Sequence, residues 1–173
     1  MYKYPGFEEK IITVFKPIIE KYQFEPKFLS ADSFSTLHLE NPYCIIRFTY
    51  DIGEVGCVFI NPRTNTNAVY PAYSVLEYLF PTDKENFRSA DWDVDVQVHH
   101  FFRLIESRLR NVLNGDFSWT EAYQNNSRLI SSRIAFVMNN FTHSHSIVQK
   151  FWNADPSWES DLDAYLLNHG LNK

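Results

Sequence analysis

Apolar residues at Phe7, Ile11, Val14, Phe15, Ile18, Ile19 and Tyr22 recur with the spacing of one helical face, and Glu8 and Glu9 fall at the positive end of the helix dipole. An amphipathic helix is expected over 7–22, kinked or broken at Pro17, which removes a backbone donor. The period then changes from helical to alternating. Phe34 to Leu39, Tyr43 to Tyr50 and Val55 to Ile60 read as strands, separated by the turn residues Glu40 to Pro42 and Asp51 to Glu54. In the second of these, Cys44, Ile46, Phe48 and Tyr50 share a core face, while Ile45, Arg47 and Thr49 share a mixed face that is partly covered or free to bind.

After a polar loop over 61–71, Tyr73 to Phe80 reads as a short helix stopped by Pro81. Trp92, Val94, Val96 and Val98 alternate with Asp91, Asp93, Asp95 and Gln97 as an exposed strand would, but helical spacing continues through Phe101, Phe102, Ile105, Leu109 and Val112. A long helix ending at Gly115 is therefore expected. Ser118 and Glu121 have capping-box spacing for a helix running through Ile130, Ile134, Val137 and Met138 to Asn139 and Asn140. Two shorter helices follow, one with Ile147, Val148, Phe151 and Trp152, the other opened by Asp155 and Pro156 with Trp158, Leu162, Tyr165 and Leu166 inward and Gly170 as its cap. The fold class implied is α+β: an antiparallel meander of three strands or slightly more, packed against several helices.

A chain of 173 residues, 45% hydrophobic and 17% aromatic, suits one domain over 1–173 with a single core. Charged and polar residues interrupt every apolar stretch before it could span a bilayer, and Pro5, Gly6, Glu8 and Glu9 break up what a secretion signal would need. The sequons at Asn125 and Asn140 carry no weight without export, and a cytoplasmic location is expected. Cys44 and Cys57 fall out of register across a hairpin, with Cys57 opposite Phe48 or Arg47, so two buried free thiols are expected. The 16 Lys and Arg against 21 Asp and Glu give a formal charge of −5 with no basic run, which disfavours nucleic acid and suits a basic partner.

Candidate chemistry is sparse. Asp91, Asp93 and Asp95 match the opening of a calcium loop, but Val96 replaces its turn glycine and Phe102 its closing glutamate. Asp95, His99 and Glu106 share a helical stripe with Arg103 and Arg110, which favours an ion-pair ladder over a metal or proton shuttle. His143 and His145 lack the further ligands that zinc requires, and phosphate loops, dinucleotide fingerprints and nucleophile elbows are missing. No cofactor is implied, and catalysis is unsupported.

The order of features, a leading helix, then LENPYCIIRFTYDIGEVGCVFINP, then YSVLEYLF, then a helix ending in LNGDFSWTEAY, resembles small bacterial immunity-like proteins of toxin gene clusters over roughly residues 7–125. The resemblance implies a cytoplasmic protein that binds and blocks a cognate toxin domain, without cofactor or catalysis. Its contact residues would be acidic and aromatic ones at the element edges: Asp51 and Glu54 at the hairpin tip, and Asp91, Trp92, Asp93 and Asp95 before the long helix. A protein-binding role thus ranks above a metal- or histidine-dependent hydrolase and above a small-molecule binding domain with an aromatic-lined pocket.

Overall fold

The computed structural model describes residues 4–29, 35–65, 68–83, 87 and 92–171. The chain divides into two compact units, Met1–Trp119 and Thr120–Lys173.

The first unit opens with α1 (Phe7–Tyr22), whose Phe7, Ile11, Phe15 and Ile18 are buried at helical spacing. The helix runs through Pro17 without the break that the proline suggested; Pro17 lies on the exposed side, where water can bond the carbonyl it leaves unpartnered. Strands β1 (Glu25–Phe28), β2 (Ser35–Glu40), β3 (Ile45–Asp51), β4 (Glu54–Ile60) and β5 (Val69–Pro71) form one antiparallel sheet in sequential order. Three are the strands expected from alternation; the Phe34 start assigned to the first lies outside the described residues.

The two additional strands are the sheet edges. Neither shows in the sequence, where 25–28 has no strand pattern and 69–71 reads as loop, because each strand is short and carries a proline, Pro26 or Pro71, that interrupts the alternation. At an edge the missing donor is harmless, and it discourages pairing with another chain.

Helices α2 (Ala72–Leu79), α3 (Val94–Arg108) and α4 (Arg110–Leu113) complete the unit. The long helix expected through Val112 ends at Arg108 instead. Leu109, with φ −112° and ψ 24°, breaks it into α3 and α4, and Gly115 turns the chain at φ +88°. Packing of α1 on β2 and of α3 on β4 encloses Leu37, Leu39, Ile46, Phe48, Cys57 and Phe59 on the core face of the sheet. Cys57 sits opposite Phe48, and neither thiol is bonded to the other. Burial pushes Cys44 up to about 12 and Cys57 well above the usual thiol value as well.

The second unit contains α5 (Thr120–Asn140), α6 (Ser146–Trp152) and α7 (Ser157–Asn168) around Val137, Ile147, Val148, Trp158 and Leu162. Ser118 does not cap α5. Its amide and hydroxyl both donate to Oδ1 of Asp116, holding that carboxyl below the usual carboxylate range. Arg133 of α5 ties to α7 through Asp163 Oδ1 and the Glu159 carbonyl, both at 2.8 Å. At its end, Gly170 adopts φ +64° and the Leu171 amide reaches back to the Leu166 carbonyl, as a glycine-capped helix end should. Among the described residues, no helix is long and apolar enough to cross a membrane.

Candidate partner-docking site

The β3–β4 connection is the tightest a hairpin allows. Asp51 pairs with Glu54, leaving Ile52 and Gly53 as its two central residues, with φ of +45° and +87°. Positive φ at both positions is the type I′ requirement, because that turn matches the twist of the strands. Glycine meets it at no steric cost. A β-branched isoleucine does not, and its left-handed backbone costs roughly 1–2 kcal/mol. The closing pair adds a second local cost, since two carboxylates directly opposite one another repel.

The start of α3 is fastened to this turn. Asp93 caps the helix, its Oδ1 accepting from the amides of Asp95 at 2.8 Å and Val96 at 3.2 Å. One turn on, the buried Gln97 accepts from the Val55 amide through Oε1 at 2.8 Å and donates to the Gly53 carbonyl through Nε2 at 2.9 Å. Each end of a single amide thus satisfies a hairpin group, the buried Val55 amide and the partly buried Gly53 carbonyl. Gln97→Leu should therefore lower stability by about 1–3 kcal/mol in denaturant unfolding, despite the better match of leucine to the apolar stripe.

Trp92 precedes the cap and lies against the turn: a Cβ at Gly53 would sit 3.7 Å from its Cε3. The indole is nevertheless 73% exposed, beside Ile52 at 69% and with Val96 at 41% on the first turn of α3. Asp51, Glu54, Asp93 and Asp95 are exposed as well. Five of the six contact residues expected from sequence are therefore gathered at one end of the sheet, on two elements locked together by Gln97. The sixth, Asp91, lies outside the described residues. No family model, curated protein or solved structure matches the chain.

The other candidate groups do not assemble. Asp93 spends its carboxylate on the helix cap and Asp95 pairs with Lys10 of α1, so among the described residues, which do not include Asp91, the calcium-like spacing brings no ligand set together. The ion-pair ladder along α3 is not formed either. Arg110 Nε donates to the Glu106 backbone carbonyl at 2.8 Å, and His99 Nδ1 lies 2.8 Å from the Asp95 carbonyl, because these shorter local bonds compete with side-chain pairing across solvent. His145 caps α6 by accepting from the Ile147 amide, and the His143 carbonyl accepts from Gln149. Among the described residues, no group of three or more His, Cys, Asp and Glu converges as a metal site would require.

Sequence reasoning missed Ile52 and Gln97. The signal for Ile52 was present, as an isoleucine where a two-residue turn wants Asn, Asp or Gly. Gln97 stood out as a polar residue on an otherwise apolar helical stripe.

Proposed function

We propose that the chain is a non-catalytic protein-binding module, a cytoplasmic immunity-type protein that neutralises a cognate toxin by docking a basic surface on the β3–β4 tip and the start of α3. The observation that carries this reading is the exposed Ile52 on the tight turn with the exposed Trp92 against Gly53 of the same turn, bordered by the carboxylates of Asp51 and Glu54. A solvent-exposed tryptophan on fixed backbone is a typical anchor of protein interfaces, because it contributes a large apolar area with little conformational freedom to lose. The surrounding acids supply electrostatic steering toward a cationic partner.

The local costs support the same reading. A strained isoleucine and an opposed pair of like charges do nothing for the stability of a hairpin, and such departures from local preference concentrate where a surface serves another molecule. Ile52→Asn should therefore raise stability by about 1 kcal/mol, the left-handed penalty being largely relieved, while weakening capture of the partner. Co-purification from the native host at low and high salt, with wild type and Ile52→Asn side by side, tests both halves. A cationic partner retained by wild type, released by salt and depleted with the variant is the expected result; equal retention by the two proteins counts against the assignment.

A further inference from the structure

The sheet face opposite the helices carries a site of a different kind. Lys27 on β1 pairs with Glu40 Oε2, Glu40 Oε1 lies 3.0 Å from His38 Nδ1 on β2, and His38 Nε2 lies 2.8 Å from Arg47 Nε on β3. Arginine can only donate, so His38 Nε2 accepts, and the imidazole proton is left on Nδ1 for Glu40. Partial burial pushes the Glu40 carboxyl up, but the hydrogen bonds from Lys27 and His38 outweigh it and hold the group below the usual carboxylate range. The acceptor end of this relay is therefore a fixed carboxylate, and the imidazole between it and Arg47 has a defined tautomer and little room to turn, its side chain being only 10% exposed.

The consequence falls on Arg47. Its Nε–H is consumed by a neutral partner and its guanidinium is oriented, yet its charge meets no carboxylate among the described residues. Lys10, Lys27, Arg108, Arg133 and Lys150 each have one. Arg47 is half-buried, and its terminal nitrogens, which meet water and no protein acceptor among the described residues, are held in place by the bond at Nε and are open to an anion. Arg47 and His38 line a hollow of about 490 Å³ that also presents the Thr36 and Thr49 side chains, with Leu29 as an apolar wall. Asp51 closes the far end, four residues further along β3. Their backbones are about 13 Å apart at strand rise, and the two side chains form no ion pair, so Asp51 leaves the guanidinium open and is placed to repel a second negative group.

We propose that this hollow binds a compact organic anion whose single oxyanion group, carboxylate or phosphate, seats on the terminal nitrogens of Arg47 and accepts from the hydroxyls of Thr36 and Thr49, its apolar body resting against Leu29. The site shares only Asp51 at its rim with the docking patch, and its anion-binding groups do not rest on the protein-binding reading. Benzoate and phenyl phosphate share one apolar body and differ in the oxyanion, so amide NMR titrations with each, at constant ionic strength in chloride, test the site and name its preferred group. Saturable shifts at Thr36, Arg47 and Thr49 are expected with at least one probe, unchanged in Trp92→Ala. Binding should weaken roughly 10- to 100-fold in Arg47→Gln. It should also weaken in Arg47→Lys, which keeps the charge but loses the fork, so the comparison survives even if the glutamine variant folds poorly. Saturation at these amides with neither probe, or undiminished affinity in the arginine variants, would overturn the proposal.

Discussion

Replacing Phe48 with alanine is expected to destabilise the first unit by about 3–5 kcal/mol, the largest single effect on stability in the chain. Phe48 is fully enclosed at the centre of β3, and its ring meets that of Phe15 on α1 edge-on at 4.8 Å between centroids. Phe15 in turn meets Phe102 of α3 at 5.6 Å, so one ring lies where the sheet and two helices converge. Truncation removes the transfer free energy of the ring and leaves a cavity between elements that cannot all close at once. Phe28, 58% exposed on the edge strand β1, is the control: Phe28→Ala should change stability by no more than about 0.5 kcal/mol. Denaturant midpoints of the two variants decide the matter. Equal losses would mean that the centre of the core has been misplaced.

The second large effect concerns binding. Trp92→Ala should reduce affinity for the captured partner at least about 30-fold, equivalent to roughly 2 kcal/mol, while shifting the unfolding midpoint very little. The asymmetry follows from exposure. An indole that is 73% exposed in the free protein contributes little to folding and has most of its surface left to bury on association. Titration calorimetry with the purified partner gives the affinity, and denaturant unfolding of the free variant gives the control. A variant that binds as well as wild type would remove the anchor from the account.

The contrast between these two phenylalanines and the tryptophan also shows what was legible in the sequence. Alternation in Tyr43 to Tyr50 and Val55 to Ile60 places Phe48 inward, because a period of two fixes the face of every side chain once one face is buried, but leaves Cys57 opposite Phe48 or Arg47; the two-residue turn decides for Phe48. The helical stripe from Phe7 to Tyr22 survived its proline for the same reason: burial of Ile11, Phe15 and Ile18 outweighs one lost backbone bond on the solvent side. Edge strands escaped notice because β1 and β5 are too short to display a period and each is interrupted by proline. The end of α3 escaped notice because apolar spacing continues past it: Leu109, Val112 and Leu113 are all buried, although the backbone turns between them.

At the candidate site the sequence supplied residue types and chain position but not proximity. Asp51 and Glu54 are more than 35 residues from Trp92 and Asp93 along the chain, and the packing of α3 on β4, with the bonds from Gln97 to Val55 and Gly53, brings the two segments to one place. Nor could spacing reveal that Asp93 would be spent on a helix cap and Asp95 on Lys10, since both partners are set by the folded backbone. The line from Lys27 to Arg47 is tertiary in the same sense, being assembled across three strands, one of which was not expected.

The docking assignment is tested most directly by placing a photoreactive phenylalanine analogue at position 52 and, separately, at the exposed Lys16 on α1, and irradiating each protein in the native host. Position 52 should yield one discrete adduct with a cationic protein, lost when Trp92→Ala is combined with it, and position 16 should not. Adducts of equal yield from both positions, or none from position 52 while partner still co-purifies, would contradict the account by placing the partner elsewhere on the chain.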